Sequence, residues 1–103
     1  MRTDEKQRIY FTITGLFAYL GSDFIKPDME VQLEKDPDNQ YDNEAIMVKL
    51  PGIGKIGYVA NSVKTVFGDE AYSAGRLYDK FNQKATGKVL YNMGNAIQCE
   101  FIR

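Results

Sequence analysis

Hydrophobic and polar positions alternate along most of this chain, in short bursts separated by turn residues. Residues 8–14 put Ile9, Phe11 and Ile13 on one face and Tyr10, Thr12 and Thr14 on the other. Side chains alternate across a strand, so this pattern predicts a first strand, and its β-branched and aromatic content suits one. Gly15 ends it. Residues 16–24 are apolar and aromatic but follow neither the strand nor the helix period, which predicts a packed loop with room for one helical turn. Lys26-Pro27-Asp28 has turn composition. A second strand over residues 29–35 turns Met29, Val31 and Leu33 inward, and a third over residues 44–50 does the same with Ile46, Val48 and Leu50. Pro51-Gly52-Ile53-Gly54 is a turn, and residues 55–59 form a short fourth strand. Gly57 within that strand marks a bulge or a close backbone approach.

The period then changes. Asn61-Ser62 suits the start of a helix through Val63, Val66 and Phe67, which Gly68 would end. Residues 70–81 space Tyr72, Leu77, Tyr78 and Phe81 partly as a helix face, with Gly75 costing about 1 kcal/mol relative to Ala. Alternation resumes in residues 84–91 and 96–102, which predict a hairpin across Asn92-Met93-Gly94-Asn95. In its last strand Ile97, Cys99 and Phe101 face inward, against Gln98 and Glu100 outward. The expected fold is mainly β: a small OB-like six-stranded barrel with one or two short helices inserted between strands 4 and 5. Such a barrel closes its own sheet edges at this chain length.

Composition narrows the function. The 103 residues suit one domain, read as residues 9–103 behind a charged, frayed stretch over residues 1–8. The 13 basic and 14 acidic residues leave a formal net charge of −1. That argues against holding nucleic acid by bulk charge, for which a basic stripe is the usual footprint, and leaves room for a small local site. Cys99 is the one cysteine, so no internal disulfide forms, which fits a reducing cytoplasm. Its inward position marks it as a small buried hydrophobe rather than a nucleophile. No apolar run approaches the ~18 residues of a membrane span. Histidine is absent, which removes imidazole general acid–base chemistry, His-activated nucleophiles and His metal ligands.

The polar loop before the third strand is the candidate for recognition chemistry. It reads Asp36-Pro37-Asp38-Asn39-Gln40-Tyr41-Asp42-Asn43-Glu44. Pro fixes φ, while Asp and Asn bond their own backbone and tolerate left-handed dihedrals, so these residues build turns that can also present side chains. Asp36, Asp38, Asn39, Asp42 and Glu44 make an oxygen-rich cluster, yet Tyr41 stands where an EF-hand needs Gly, and no metal or other cofactor is expected. Phe17, Tyr19 and Tyr58 suit either the core or base stacking, which contributes roughly 1–3 kcal/mol per base. Lys26, Lys35, Lys49, Lys55 and Lys64 are the cations available to phosphates.

Three segments together resemble the HIRAN domain family over residues 9–103. They are Phe11-Thr12-Ile13-Thr14-Gly15, the loop and strand from Asp36 to Val48, and Lys55-Ile56-Gly57-Tyr58-Val59. Ser73-Ala74-Gly75-Arg76-Leu77-Tyr78-Asp79-Lys80-Phe81 is also similar to a stretch of small stand-alone bacterial members. The resemblance implies an OB-like six-stranded barrel. In eukaryotes such domains precede Snf-type ATPase motors and RING ubiquitin ligases that remodel stalled replication forks. It further implies a grip on the 3′ end of single-stranded DNA. Carried over by motif position, Asp42 accepts a hydrogen bond from the 3′-hydroxyl, Tyr41 stacks on base or sugar with Asn39 just ahead of it, and Tyr58 faces the DNA. Two departures stand out. An Arg-aromatic pair expected after the first strand's glycine is Phe17-Ala18, followed by Tyr19, and a basic residue expected after the fourth strand is Asn61. The expected activity is non-catalytic binding of single-stranded DNA in repair or fork processing, with a helicase, ATPase or nuclease partner and no membrane. Two alternatives stay open: a protein-interaction adaptor on the same barrel, favoured by the near-neutral charge, and a metal-dependent hydrolase or nuclease using the carboxylates of the loop.

Overall fold

Six antiparallel strands close on themselves in this computed structural model, which describes residues 8–15, 24–40, 43–60, 72–93 and 96–102. The strands are β1 (Tyr10–Thr14), β2 (Glu30–Lys35), β3 (Ile46–Leu50), β4 (Gly54–Val59), β5 (Lys84–Asn92) and β6 (Ile97–Phe101). Around the barrel they run β1-β4-β3-β2-β5-β6 and back to β1. The fold is thus the mainly β, OB-like barrel that the alternation predicts. Among the described residues a single short helix, α1 (Ala74–Tyr78), stands between β4 and β5. The helix expected to start at Asn61-Ser62 lies outside the described residues.

Inward positions meet at the barrel axis. Phe11, Ile13, Val31, Leu33, Ile46, Val48, Ile56, Val89, Ile97 and Cys99 are fully buried. α1 then covers the barrel end where β2 finishes and β5 begins, inserting Ala74 and Leu77 while Tyr72 packs just ahead of it. Ser73 caps the helix by accepting from the Arg76 N–H at 3.4 Å, and the Asp79 N–H closes it on the Leu77 carbonyl. The helix is shorter than residues 70–81. The Ser73 cap fixes its start, and Tyr72 and Phe81 pack on the core from outside it. Cations lie over the aromatic rings of this end: Arg76 over Tyr72 at 4.0 Å, and Lys35 over Tyr78 and Phe81 at 4.1 and 5.1 Å.

Turn chemistry matches its residues. The Met29 N–H reaches the Lys26 carbonyl across Pro27-Asp28, with Asp28 at φ 75°, the left-handed second corner of a type II turn. The Ile53 N–H reaches the Leu50 carbonyl across Pro51-Gly52 in the same way. In β6, Ile97 and Cys99 are buried and Phe101 half-buried against Phe81, with ring centroids 5.9 Å apart. Gln98, expected outward, is instead buried. A strand inside a closed barrel has neighbours on both sides, here Thr12 on β1 and Tyr91 on β5. The β5 register also shifts between Val89 and Tyr91, so simple alternation does not set the exposure there.

Closure rests on a short seam. Among the described residues β1 and β4 pair through Ile13 opposite Val59 and Thr14 opposite Tyr58, and the Ala60 N–H continues the ladder to the Thr12 carbonyl at 2.8 Å. Gly57 makes the approach possible, because a Cβ there would overlap the Thr14 carbonyl oxygen and press on Ile13 Cγ2 at 3.1 Å. Gly57→Ala should therefore lower stability by about 3 kcal/mol, the upper range for overpacking, read as a fall in the urea midpoint. Cys99 makes a second expectation. Burial raises its thiol pKa far above the ordinary thiol value, so a thiol reagent at mildly alkaline pH should label the protein only after it unfolds.

Candidate nucleic-acid interface

The 36–45 loop is anchored at its base by Asp36, whose N–H donates to the Ala45 carbonyl at 2.9 Å as β2 ends and β3 begins. Its first turn folds back when the Asn39 N–H donates to the Asp36 carbonyl at 3.1 Å, the geometry that Pro37-Asp38 favours. The Asp36 carboxylate then links two parts of the fold. Its Oδ2 accepts from the Tyr58 hydroxyl at 3.0 Å and from Asn39 Nδ2 at 3.4 Å. Lys55 Nζ donates to the same Tyr58 hydroxyl at 3.4 Å and lies 5.1 Å from the ring centroid. The ring is thus held at its polar end between a carboxylate and an ammonium, and it is half-exposed on the barrel's outer face.

Two of the seven predicted site residues, Asn39 and Tyr58, are described, and Asp36 brings them together from positions distant in sequence. Tyr41, Asp42, Phe17, Tyr19 and Asn61 lie outside the described residues. Their chain neighbours are placed. Gln40 and Asn43 bracket the Tyr41-Asp42 pair on the loop that Asp36 anchors. Gly15, which precedes the segment of Phe17 and Tyr19, packs its backbone on Gly57 and Tyr58: a Cβ on it would lie 3.4 Å from Gly57 Cα. Ala60, just before Asn61, donates its N–H to Thr12 at 2.8 Å and accepts from Ala74 N at 3.1 Å. The segments after Gly15 and Ala60 therefore begin on the seam that carries Tyr58, and the loop of Tyr41-Asp42 is tied to Tyr58 at its base through Asp36.

Sequence reasoning missed Asp36 and Lys55 as members of this site, having read Asp36 as part of an oxygen cluster and Lys55 as one lysine among several. Among the described residues no three Asp, Glu or Cys side chains gather as a metal site. Elsewhere on the barrel wall a shallow cavity of about 310 Å³ lies over Gln32, Glu34, Lys49, Lys84 and Thr86. It shares no residue with the Tyr58 cluster. Lys49 bridges to Glu34 there at 2.8 Å, and that bond holds the Glu34 carboxyl below its ordinary pKa although the group is open to solvent. No helix among the described residues is long and apolar enough to cross a membrane.

The architecture is that of a closed, six-stranded OB-like barrel with a polar, aromatic face beside a turn-rich loop. The HIRAN domain family model matches residues 6–102, and the chain belongs to the HIRAN domain family, a family of DNA-binding modules. A crystal structure of a protein from Lactobacillus plantarum shares the fold with a TM-score of 0.60 at 20% identity, covering 92% of this chain and 93% of that one. The crystal structure of the HIRAN domain of human HLTF does so with a TM-score of 0.55 at 20% identity, covering 91% of this chain and 74% of that one. Likeness at this identity concerns the fold. No curated protein matches the sequence at a significant level.

The Asp36–Tyr58 bond should appear in a double-mutant cycle. Asp36→Ala and Tyr58→Phe each remove it, and in combination their stability losses should fall short of additivity by about 1 kcal/mol in urea unfolding. Strict additivity would show the bond to be energetically silent.

Proposed function

We propose that this HIRAN domain, taken as residues 9–103, is a non-catalytic module that binds single-stranded DNA at its 3′-hydroxyl end. The observation that carries this reading is the Asp36-centred cluster, which sets Tyr58 against the base of the loop bearing Tyr41 and Asp42. In this reading Asp42 accepts from the terminal hydroxyl, and Tyr41 and Tyr58 pack the terminal nucleotide. Asn39 supports the loop, Asn61 supplies a polar contact, and Phe17 and Tyr19 supply the remaining stacking surface. A carboxylate suits a hydroxyl end because it accepts a hydrogen bond from it, whereas it repels a terminal phosphate. Stacking is indifferent to base identity, so the site reads an end rather than a sequence. The module would serve DNA repair or fork processing beside a helicase, ATPase or nuclease that supplies the chemistry.

The formal net charge of −1 favours a second reading, a protein-interaction adaptor on the same barrel. Fluorescence anisotropy with short labelled single strands separates the two. The 3′-hydroxyl strand should bind about tenfold more tightly than its 3′-phosphate counterpart, the worth of one charge-assisted hydrogen bond, and Asp42→Ala should bring that ratio close to one. A ratio that Asp42→Ala leaves unchanged would remove Asp42 from the role. Absence of binding to either strand, with capture of one stoichiometric protein insensitive to nuclease, would favour the adaptor.

A further inference from the structure

Lys55 and Tyr58 are three residues apart on a strand, and strict alternation would send their side chains to opposite faces. They nevertheless meet, with Lys55 Nζ 3.4 Å from the Tyr58 hydroxyl. The register explains it. Val48 of β3 stands opposite Gly57, but the next residue, Lys49, stands opposite Lys55, so Ile56 is an extra residue in β4. Ile56 and Gly57 are accordingly both buried in succession, while Lys55 is exposed and Tyr58 half-exposed. This is a β-bulge, a device that re-aims side chains and recurs beside functional sites. Here its effect is to bring an ammonium out of the position facing the core and set it beside the one ring of the described cluster.

The charge around that ammonium matters next. Lys49, the neighbouring cation on β3, is held by Glu34 at 2.8 Å. Lys55 has no ion-pair partner among the described residues, and it meets Tyr58 at both hydroxyl and ring. The Asp36 carboxylate makes no ion pair with Lys55 and is engaged instead by Tyr58 and Asn39. A long 3.4 Å bond to a neutral hydroxyl is readily exchanged for a shorter, charge-assisted one to an anionic oxygen. A base packed on the Tyr58 ring brings its own backbone phosphate alongside, and Asn61 carries no charge to receive it.

We infer that Lys55 is the phosphate anchor of this site, gripping the nucleic-acid backbone next to the nucleotide on Tyr58. The inference rests on the DNA-binding reading above and adds to it the residue that neutralises a phosphate. As a point charge on a flexible stem, Lys55 fixes position and contributes no base preference.

The test is the salt dependence of binding to a short labelled oligodeoxythymidine with a 3′-hydroxyl, for wild type, Lys55→Gln, Lys55→Arg and Lys26→Gln. Lys26 lies in the turn before β2, at the end of that strand remote from Asp36. Loss of one contact to a single strand lowers the log–log salt slope by about 0.7, so Lys55→Gln should show that loss between roughly 50 and 200 mM salt. Lys55→Arg should restore the slope and Lys26→Gln should leave it alone, with the hydroxyl-to-phosphate preference intact throughout. Because Lys55 is exposed, equal urea midpoints will show that the variants are folded. A Lys55→Gln slope equal to wild type, or an equal drop in Lys26→Gln, overturns the assignment and leaves the end-binding reading standing. Failure of the wild type to bind overturns both.

Discussion

The closure of the barrel between β1 and β4 is the contact on which the other arrangements depend. Among the described residues the remaining ladders run four or more register pairs and this seam two, and it exists because Gly57 presents no side chain to the Thr14 carbonyl. A six-strand sheet left open would expose two edges of unpaired N–H and C=O groups, a state that invites pairing with another chain. Closing it also sets Tyr58 opposite Thr14 and lays Gly15 against the backbone of Gly57 and Tyr58. The narrow seam therefore both closes the barrel and carries the ring of the candidate interface. A close backbone approach and an exposed aromatic ring on adjacent residues are two results of one steric requirement.

At the interface the physical theme is restraint of a ring before any ligand arrives. A surface tyrosine ordinarily samples several rotamers, and ordering it on binding costs free energy. Tyr58 gives its hydroxyl proton to Asp36 and receives one from Lys55, so both hydrogen-bonding capacities are in use. What Lys55, 5.1 Å from the centroid, leaves uncovered of the ring is the part available to a partner. Asp36 serves the loop in the same way through its backbone, which ties the loop base to Ala45 and the first turn to Asn39. One residue thus couples loop shape to ring orientation. The cations at the other aromatic cluster, Arg76 over Tyr72 and Lys35 over Tyr78 and Phe81, instead shield the barrel end that α1 covers.

Most of the barrel was legible in the sequence because its interior demands alternation. Phe11 and Ile13, Val31 and Leu33, and Ile46, Val48 and Leu50 all point inward as their spacing says. Gly57 was legible as an irregularity for the same reason, since glycine in a strand seldom lacks a steric cause. Gln98 was misjudged because the register of β5 shifts opposite it, between Val89 and Tyr91, and breaks the alternation that assigned it outward. The partnership of Asp36 with Tyr58 spans 22 positions and depends on barrel closure, so no local pattern encodes it. Lys55 was within reach. Gly57 marked either a bulge or a close backbone approach; a bulge implies a change of parity, and following that change places Lys55 on the same face as Tyr58.

The extra residue in β4 also means that the strand's surface is governed by its register against β3 as much as by its composition. Removing Ile56 would leave Lys55 and Tyr58 two residues apart in an even pleat, still opposite Lys49 and Met47 and still on one face, so the strand would lose a buried side chain and keep its surface charge. Ironing out the bulge with every residue retained would do the reverse, setting the two three apart in an even pleat and sending the ammonium toward the apolar interior. The charge beside Tyr58 is thus a property of how the two strands are counted against each other.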